Sequence, residues 1–131
     1  MTKKRILLIE DEAELIRAIK IRLEAAGFET ISAKDGEEGL ETARKEKPDL
    51  IVLDLILPNM SGFDVCRKLK IDKEYKDIPI IMLTAKSETR SIFEAAGLSA
   101  TDYVIKPFSL ENLFSLICRY LDDDKRQPIK V

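Results

Sequence analysis

Five short aliphatic runs alternate along the 131-residue chain with five segments of helical periodicity, and this alternation constrains the fold more than any other feature. The predicted strands are Ile6–Ile9, Glu29–Ala33, Leu50–Leu53, Ile78–Leu83 and Tyr103–Ile105. Strands rich in Ile, Val and Leu are typical of a parallel sheet that is covered on both faces. Alternating strands and helices form right-handed βαβ units. We therefore predict an α/β fold with three layers, a doubly wound sheet of five parallel strands.

The helix boundaries follow from start and stop signals. The first helical pattern runs from Glu12 to Ala26, and Gly27 supplies its stop. Plausible start signals for the other four helices are Asp35, Ser61 or Gly62, Ser87 and Ser109. The last helix carries one apolar stripe, formed by Leu110, Leu113, Phe114, Ile117 and Leu121. Residues 122–131 lack periodicity, so we predict one domain over residues 1–121 and a tail or linker stub after it.

The composition excludes several classes of function. The chain contains no histidine, which rules out Ser-His-Asp and Cys-His catalytic sites and histidine-based zinc sites. Its 22 basic and 24 acidic residues are interspersed, so we expect no direct binding to nucleic acid. The first apolar run is too short for a signal peptide or a membrane span, and we expect no membrane partner. This absence of a signal-peptide pattern predicts a cytoplasmic protein, and Cys66 and Cys118, which lack a CxxC spacing, are expected to be free thiols in that reducing compartment.

Polar residues stand at the carboxyl ends of four predicted strands. Glu10 and Asp11 follow the first strand, and Asp54 follows the third. Thr84 and Lys106 end the fourth and fifth. In a doubly wound sheet these ends form one edge, where ligands bind. Two carboxylates about 4 Å apart repel by roughly 4 kcal/mol at an effective dielectric constant of ~20, so the acids require protons, Lys106 or a cation nearby.

The acids would offer a metal ion only a few oxygen ligands and leave room for water. Such a site favours Mg²⁺ over Ca²⁺, which is usually surrounded by six to eight oxygen ligands. Because Mg²⁺ commonly bridges carboxylates and a phosphoryl group, the acids predict a phosphorylated species at this edge. The chain has no GxxxxGK[ST] loop for a nucleotide, which leaves the Asp54 carboxylate as the candidate nucleophile. Lys106 would share the phosphoryl charge, and the Thr84 hydroxyl would donate to a phosphoryl oxygen.

Four segments resemble, in their order and spacing, the receiver domain of two-component response regulators, a CheY-like family. They are "IEDE", "LDLILPNMSG", "LTAK" and "DYVIKPF". The resemblance implies the strand order 2-1-3-4-5, which flavodoxin shares. It also implies that Asp54 accepts a phosphoryl group from a sensor histidine kinase or a histidine phosphotransfer protein. Mg²⁺, for which Mn²⁺ may substitute, would bind Asp11, Asp54 and the backbone carbonyl of Ile56 directly, and Glu10 through water.

The same resemblance also implies which residues switch the domain, tune the lifetime of its signal and contact its effector. Thr84 and Tyr103 are similar to the family's switch pair, and Ile56 and Lys86 occupy positions that tune the lifetime of the acyl phosphate. The readout surface for a downstream effector protein or domain would comprise Ser87–Leu98, Ser109–Leu121 and the Tyr103 strand. Such a domain is a phosphoacceptor that catalyses its own phosphorylation and dephosphorylation, rather than a conventional enzyme. The resemblance also implies a cis peptide bond between Lys106 and Pro107.

Two departures from the family pattern concern the readout surface. Ser99 stands where a glycine usually ends the fourth helix, so this helix ends earlier, at Gly97, or the backbone is strained at Ser99. The arginine that the fifth helix often carries near Ser115 in DNA-binding regulators is missing from its usual position, which disfavours a common dimer of those regulators. We expect a monomer or a weak, phosphorylation-dependent dimer.

Three alternative functions fit parts of this pattern. An aspartate-nucleophile phosphatase needs a second acid two residues after its nucleophile, where this chain has Ile56. A flavodoxin-like electron carrier needs a phosphate-binding loop after the first strand, where "EDEAE" would repel phosphate. The remaining alternative is a pseudo-receiver, a module that binds partners without being phosphorylated.

Overall fold

The computed structural model describes residues 3–121, and the predicted tail, residues 122–131, lies outside the described residues. The strands are β1 (Arg5–Ile9), β2 (Glu29–Ala33), β3 (Leu50–Asp54), β4 (Ile80–Thr84) and β5 (Asp102–Ile105). The helices are α1 (Ala13–Ala25), α2 (Gly36–Glu46), α3 (Gly62–Lys70), α4 (Thr89–Ala95) and α5 (Leu110–Tyr120). Strand and helix alternate without exception through the described residues, as the sequence predicts.

The five strands form one parallel sheet in the order β2-β1-β3-β4-β5. This order confirms the doubly wound α/β fold. Strand β3 lies at the centre, and all its residues are buried, including the terminal Asp54. The chain order reverses between β1 and β3, and a doubly wound fold places its ligands at the carboxyl end of the sheet near this reversal.

Each face of the sheet has its own apolar core. In β1, Ile6 and Leu8 pack toward α1 and α5, whereas Leu7 and Ile9 pack toward α2, α3 and α4. Alternate residues of a strand point to opposite faces, so a strand buried on both sides must be apolar throughout. Full burial of one such side chain stabilises the fold by about 1.5–3 kcal/mol. The aliphatic runs of the sequence are explained by this three-layer packing.

Most of the start and stop signals are confirmed. The side chains of Asp35, Ser61 and Ser109 each accept a hydrogen bond from a backbone N–H three residues later. Ser87 is the exception, since its hydroxyl donates to the Glu88 carboxylate and α4 begins two residues later, at Thr89. Residue type alone predicts a cap there, but Ser87 uses its hydroxyl on a neighbouring side chain.

Two further boundaries differ from or refine the sequence prediction. Strand β4 begins at Ile80 rather than Ile78, because the Ile78 N–H bonds within a turn and Pro79 has no N–H to donate. Helix α4 ends before Gly97, which has φ +74°. Among residues 3–121 the non-glycine residues with positive φ are Lys47 and Asn59, so the predicted alternative of backbone strain at Ser99 is wrong.

Cys66 and Cys118 are buried and form no disulfide bond, which agrees with the two thiols that the sequence predicts. Burial raises the pKa of the Cys66 thiol to about 11, which keeps it protonated at neutral pH. Of the helices in the described residues, none combines the length and the apolar character needed to cross a bilayer.

Candidate functional site

The carboxyl ends of four strands bring the predicted polar residues to one edge of the sheet. Asp54 is the last residue of β3 and Thr84 the last of β4, while Glu10 directly follows β1. Lys106 follows β5, and its N–H donates to the Thr84 carbonyl. The parallel register therefore positions these side chains together, although they are far apart in the sequence.

Glu10, Asp11 and Asp54 form an acidic cluster in which one carboxylate oxygen of each residue lies within 4.8 Å of the other two. Glu10 and Asp54 are buried, with 2% and 6% of their surface exposed, whereas Asp11 is exposed. The cluster is thus closed on the sheet side and open to solvent at Asp11. Three carboxylates with one open side suit a hard divalent cation such as Mg²⁺, which retains several water ligands.

Lys106 supplies the positive charge nearest to the cluster. Its Nζ lies 3.3 Å from Oε1 of Glu10 and 3.4 Å from Oδ2 of Asp54. Burial raises the pKa of both carboxyl groups, and the ammonium offsets part of this effect. Burial by itself would lower the pKa of Lys106, but the two carboxylates hold it above its usual value. One ammonium thus faces two of the three acids.

Local backbone geometry fixes the two buried acids. Oε2 of Glu10 accepts a hydrogen bond of 3.1 Å from the N–H of Glu12, at the start of α1. The loop after Asp54 folds back so that the Gly62 N–H donates to the Leu55 carbonyl. A Cβ at Gly62 would lie 2.2 Å from the Asp54 carbonyl oxygen, so glycine is required for this close approach.

Thr84 lies at the same edge, but its hydroxyl is engaged with the start of α4. Its Oγ1 lies 2.8 Å from Oγ1 of Thr89 and accepts a hydrogen bond of 3.1 Å from the N–H of Lys86. Thr89 is not among the site residues that the sequence predicts. The available signal was its position four residues before Phe93, which places both on the buried face of α4.

Tyr103 is half-buried and is held on three sides. Its hydroxyl accepts a hydrogen bond of 3.0 Å from the N–H of Ala100, and its ring meets Phe93 edge-on at 5.5 Å. The guanidinium of Arg90 covers the ring at 4.6 Å and pairs with Asp102 at 2.9 Å. Arg90 and Asp102 are not among the predicted site residues either. Contacts between side chains on different elements cannot be predicted from local periodicity.

The remaining predicted positions follow the strand-end residues closely in sequence. Ile56, two residues after Asp54, leaves 73% of its surface exposed, and Lys86 is exposed as well. The peptide bond between Lys106 and Pro107 is cis, as the resemblance implies.

Comparisons with known proteins agree with this geometry. The family model described as "Response regulator receiver domain" matches residues 6–118. The alkaline phosphatase synthesis transcriptional regulatory protein PhoP of Bacillus subtilis is 45% identical over 106 residues, 81% of this chain and 43% of that protein. The chain spans about half the length of the curated relatives it matches.

Two solved structures extend the comparison to three dimensions. The chemotaxis response regulator CheY4 of Vibrio cholerae has a TM-score of 0.82 at 32% identity, covering 91% of this chain and 99% of that one. The receiver domain of the sensor histidine kinase PA1611 from Pseudomonas aeruginosa PAO1 was solved with a magnesium ion coordinated in its active-site cleft. It has a TM-score of 0.80 at 26% identity, covering 93% of this chain and 100% of that one. The chain therefore belongs to the response regulator receiver domain family of two-component signalling.

Proposed function

We propose that this chain is a phosphorylatable, Mg²⁺-dependent receiver in which Asp54 is the phosphoacceptor. An Asp54 carboxylate oxygen attacks the phosphorus of a phosphohistidine on a sensor histidine kinase or a histidine phosphotransfer protein. The O–P bond forms as the P–N bond breaks, and the histidine nitrogen leaves with the electron pair. The observation that carries the proposal is the position of Asp54, which is buried within 4.8 Å of two further carboxylates and 3.4 Å from an ammonium.

The acidic cluster fits the metal that this reaction requires. Asp11, Asp54 and the backbone carbonyl of Ile56 would hold Mg²⁺, or Mn²⁺ in its place, and Glu10 would act through water. When bound, the cation offsets the negative charge of the phosphoryl group and of the carboxylates. The magnesium ion in the cleft of the PA1611 receiver domain supports this assignment.

Two side chains would hold the transferred group. The Lys106 ammonium, which contacts Asp54 before the reaction, would pair with one phosphoryl oxygen. The Thr84 hydroxyl would donate to another, and Tyr103 would move with it as the second member of a switch pair. Hydrolysis of the acyl phosphate by water would end the signal, at a rate tuned by the flanking Ile56 and Lys86.

The signalling context follows from the family. The receiver, residues 1–121, would be a monomer or a weak, phosphorylation-dependent dimer in the cytoplasm. Residues 122–131 would be a tail or a link to an effector. The readout surface would comprise α4, β5 and α5, where Tyr103 lies between Arg90 and Phe93.

The experiment is incubation with acetyl phosphate or phosphoramidate and Mg²⁺, followed by intact-mass measurement. We expect one phosphoryl group per chain, and no adduct in Asp54→Asn or after chelation of Mg²⁺. The control variant Asp64→Asn removes a carboxylate from α3, outside the acidic cluster, and should still be phosphorylated. If the wild type gives no adduct, the proposal is wrong and the pseudo-receiver alternative is favoured.

A further inference from the structure

Four polar or charged residues are buried within residues 3–121, and one of them has no role in the proposed function. Glu10, Asp54 and Thr84 belong to the site at the strand ends. The fourth is Thr89, the first residue of α4, which leaves 2% of its surface exposed. A buried hydroxyl requires a hydrogen-bond partner, and the partner of Thr89 is the Thr84 hydroxyl at 2.8 Å.

We propose that Thr89 is a positioning residue for Thr84. Its hydroxyl holds the Thr84 hydroxyl against α4 while Asp54 is unmodified, and releases it when a phosphoryl group arrives. This inference rests on the proposed function of Asp54 as phosphoacceptor. It adds a residue that the resemblance to the receiver family does not supply.

The contacts of Thr84 define the resting arrangement. Its Oγ1 is held from two directions, by the Lys86 N–H at 3.1 Å and by Thr89 at 2.8 Å. Threonine side chains occupy staggered rotamers, so a turn of the Thr84 hydroxyl toward Asp54 moves it away from both contacts together. The Thr89 hydroxyl then remains buried without its partner, which opposes the turn.

The location of Thr89 connects this contact to the readout surface. Thr89 begins α4, and the next residue, Arg90, covers the Tyr103 ring. Release of Thr84 leaves the buried Thr89 hydroxyl without this partner, which favours a shift of the first turn of α4. The same turn carries the guanidinium that restrains Tyr103. The hydrogen bond between the two threonines thus biases the equilibrium between the resting and the switched arrangement.

Two substitutions separate positioning from packing. Thr89→Val keeps the branched shape and removes the hydroxyl, whereas Thr89→Ser keeps the hydroxyl and removes a methyl group. Because Thr89→Val removes a restraint on Thr84, we expect its rate constant for phosphorylation by phosphoramidate and Mg²⁺ to rise about fivefold, the factor that one net hydrogen bond provides. Thr89→Ser should match the wild type. The reverse pattern, with Ser altered and Val unchanged, would indicate packing alone and overturn the inference.

A second readout needs neither metal nor phosphoryl donor. Three-bond NMR couplings to the Thr84 methyl carbon report its side-chain rotamer in the unmodified protein. We expect one rotamer in the wild type and in Thr89→Ser, and an average of rotamers in Thr89→Val. An averaged rotamer in the wild type, or a single rotamer unchanged in Thr89→Val, would overturn the inference. If Thr89→Val does not fold, Thr89→Ala removes the same hydroxyl and is judged by the same criteria.

A double substitution separates the role of Thr89 from the role of Asp54 as phosphoacceptor. In a Thr84→Val background, Thr89→Val should have no further effect on the phosphorylation rate, because the contact is already absent. An equal rate in wild type and Thr89→Val, with a normal adduct at Asp54, overturns the role of Thr89 alone. Absence of an adduct in the wild type overturns both proposals.

Discussion

The guanidinium carbon of Arg90 lies 4.6 Å from the centroid of the Tyr103 ring, so α4 restrains the aromatic side chain that we propose as part of the switch. The same guanidinium pairs with Asp102, the first residue of β5, at 2.9 Å. Half of the Arg90 side chain remains exposed. Its ring contact and its ion pair therefore act together at the surface, where each alone contributes little.

Replacement of Arg90 by methionine tests this restraint, since methionine keeps the length of the side chain but not its charge. We expect the free energy of unfolding to fall by about 1 kcal/mol, the combined size of an exposed cation–π contact and a surface ion pair. Urea unfolding measures this change. Arg17→Met, which removes an exposed arginine from α1, is the control and should leave the free energy within about 0.5 kcal/mol of the wild type. Equal effects of the two variants would contradict the restraint.

Asp102 predicts a dependence of stability on pH. Burial by itself would raise its pKa, but hydrogen bonds from the Tyr120 hydroxyl, the Tyr103 N–H and Arg90 hold the pKa below its usual value. A lowered pKa in the folded state stabilises the fold above the unfolded pKa of about 4 and loses this contribution as pH falls through the folded value. Asp102→Asn should therefore lower the unfolding free energy by about 2 kcal/mol at pH 7, the worth of a charge-assisted hydrogen bond.

Measuring the unfolding free energy of both proteins over a range of pH tests the assignment to Asp102 more directly than the value at pH 7. The difference between wild type and Asp102→Asn should be constant above about pH 5 and shrink as the acid range is entered. Glu41→Gln, at an exposed position of α2, controls for the loss of one negative charge. A difference that stays constant down to the acid limit of folding would refute the assignment to Asp102.

Gly62 should tolerate a methyl group less well than Gly39, although both lie in helices. A Cβ at Gly62 would meet backbone atoms, the Asp54 carbonyl oxygen at 2.2 Å and the Leu55 Cα at 2.9 Å. A Cβ at Gly39 would meet side-chain atoms of Ile9 at 2.6 Å, which can move. We expect Gly62→Ala to lower the unfolding free energy by about 1–3 kcal/mol and Gly39→Ala by less, as measured in urea. The opposite order would show that the β3–α3 loop is free to move.

Ile56 offers a test of signal lifetime. Its side chain is exposed beside Asp54, and we propose that its bulk hinders the water that attacks the acyl phosphate. The phosphorylated wild type should therefore keep its phosphoryl group longer than Ile56→Asn, with a half-life several-fold greater by intact mass. Asp64→Asn is the control and should decay like the wild type. No difference between wild type and Ile56→Asn would discard the role of Ile56.

Much of this architecture is encoded in local sequence patterns. The strand order followed from the family resemblance, but the meeting of Glu10, Asp54 and Lys106 followed from a simpler rule, because parallel strands that end together place their next residues on one edge. The strands themselves are recognisable in the sequence because they are buried on both faces. Every position of such a strand is apolar, so the strand appears as an uninterrupted aliphatic run.

Other features depend on geometry that a linear pattern does not contain. The residue type of Ser87 predicts a cap for α4, but a cap requires the hydroxyl to accept from a helix N–H, and the Ser87 hydroxyl donates to the Glu88 carboxylate instead. The pairing of Thr84 with Thr89 depends on a turn that brings α4 back over the strand end. The contact between Arg90 and Tyr103 joins α4 to β5, and no local sequence pattern predicts how close these two elements lie.

The burial of Cys66 and Cys118 has a practical consequence for experiments on the switch. Burial raises the pKa of the Cys66 thiol to about 11, and solvent reaches neither thiol, so both react slowly with maleimides, whose reaction requires an accessible thiolate. One new cysteine on the outer side of α4, for example at Glu94, would then take up a fluorophore selectively without removal of the native pair. Movement of α4 could be followed by fluorescence in otherwise unaltered protein.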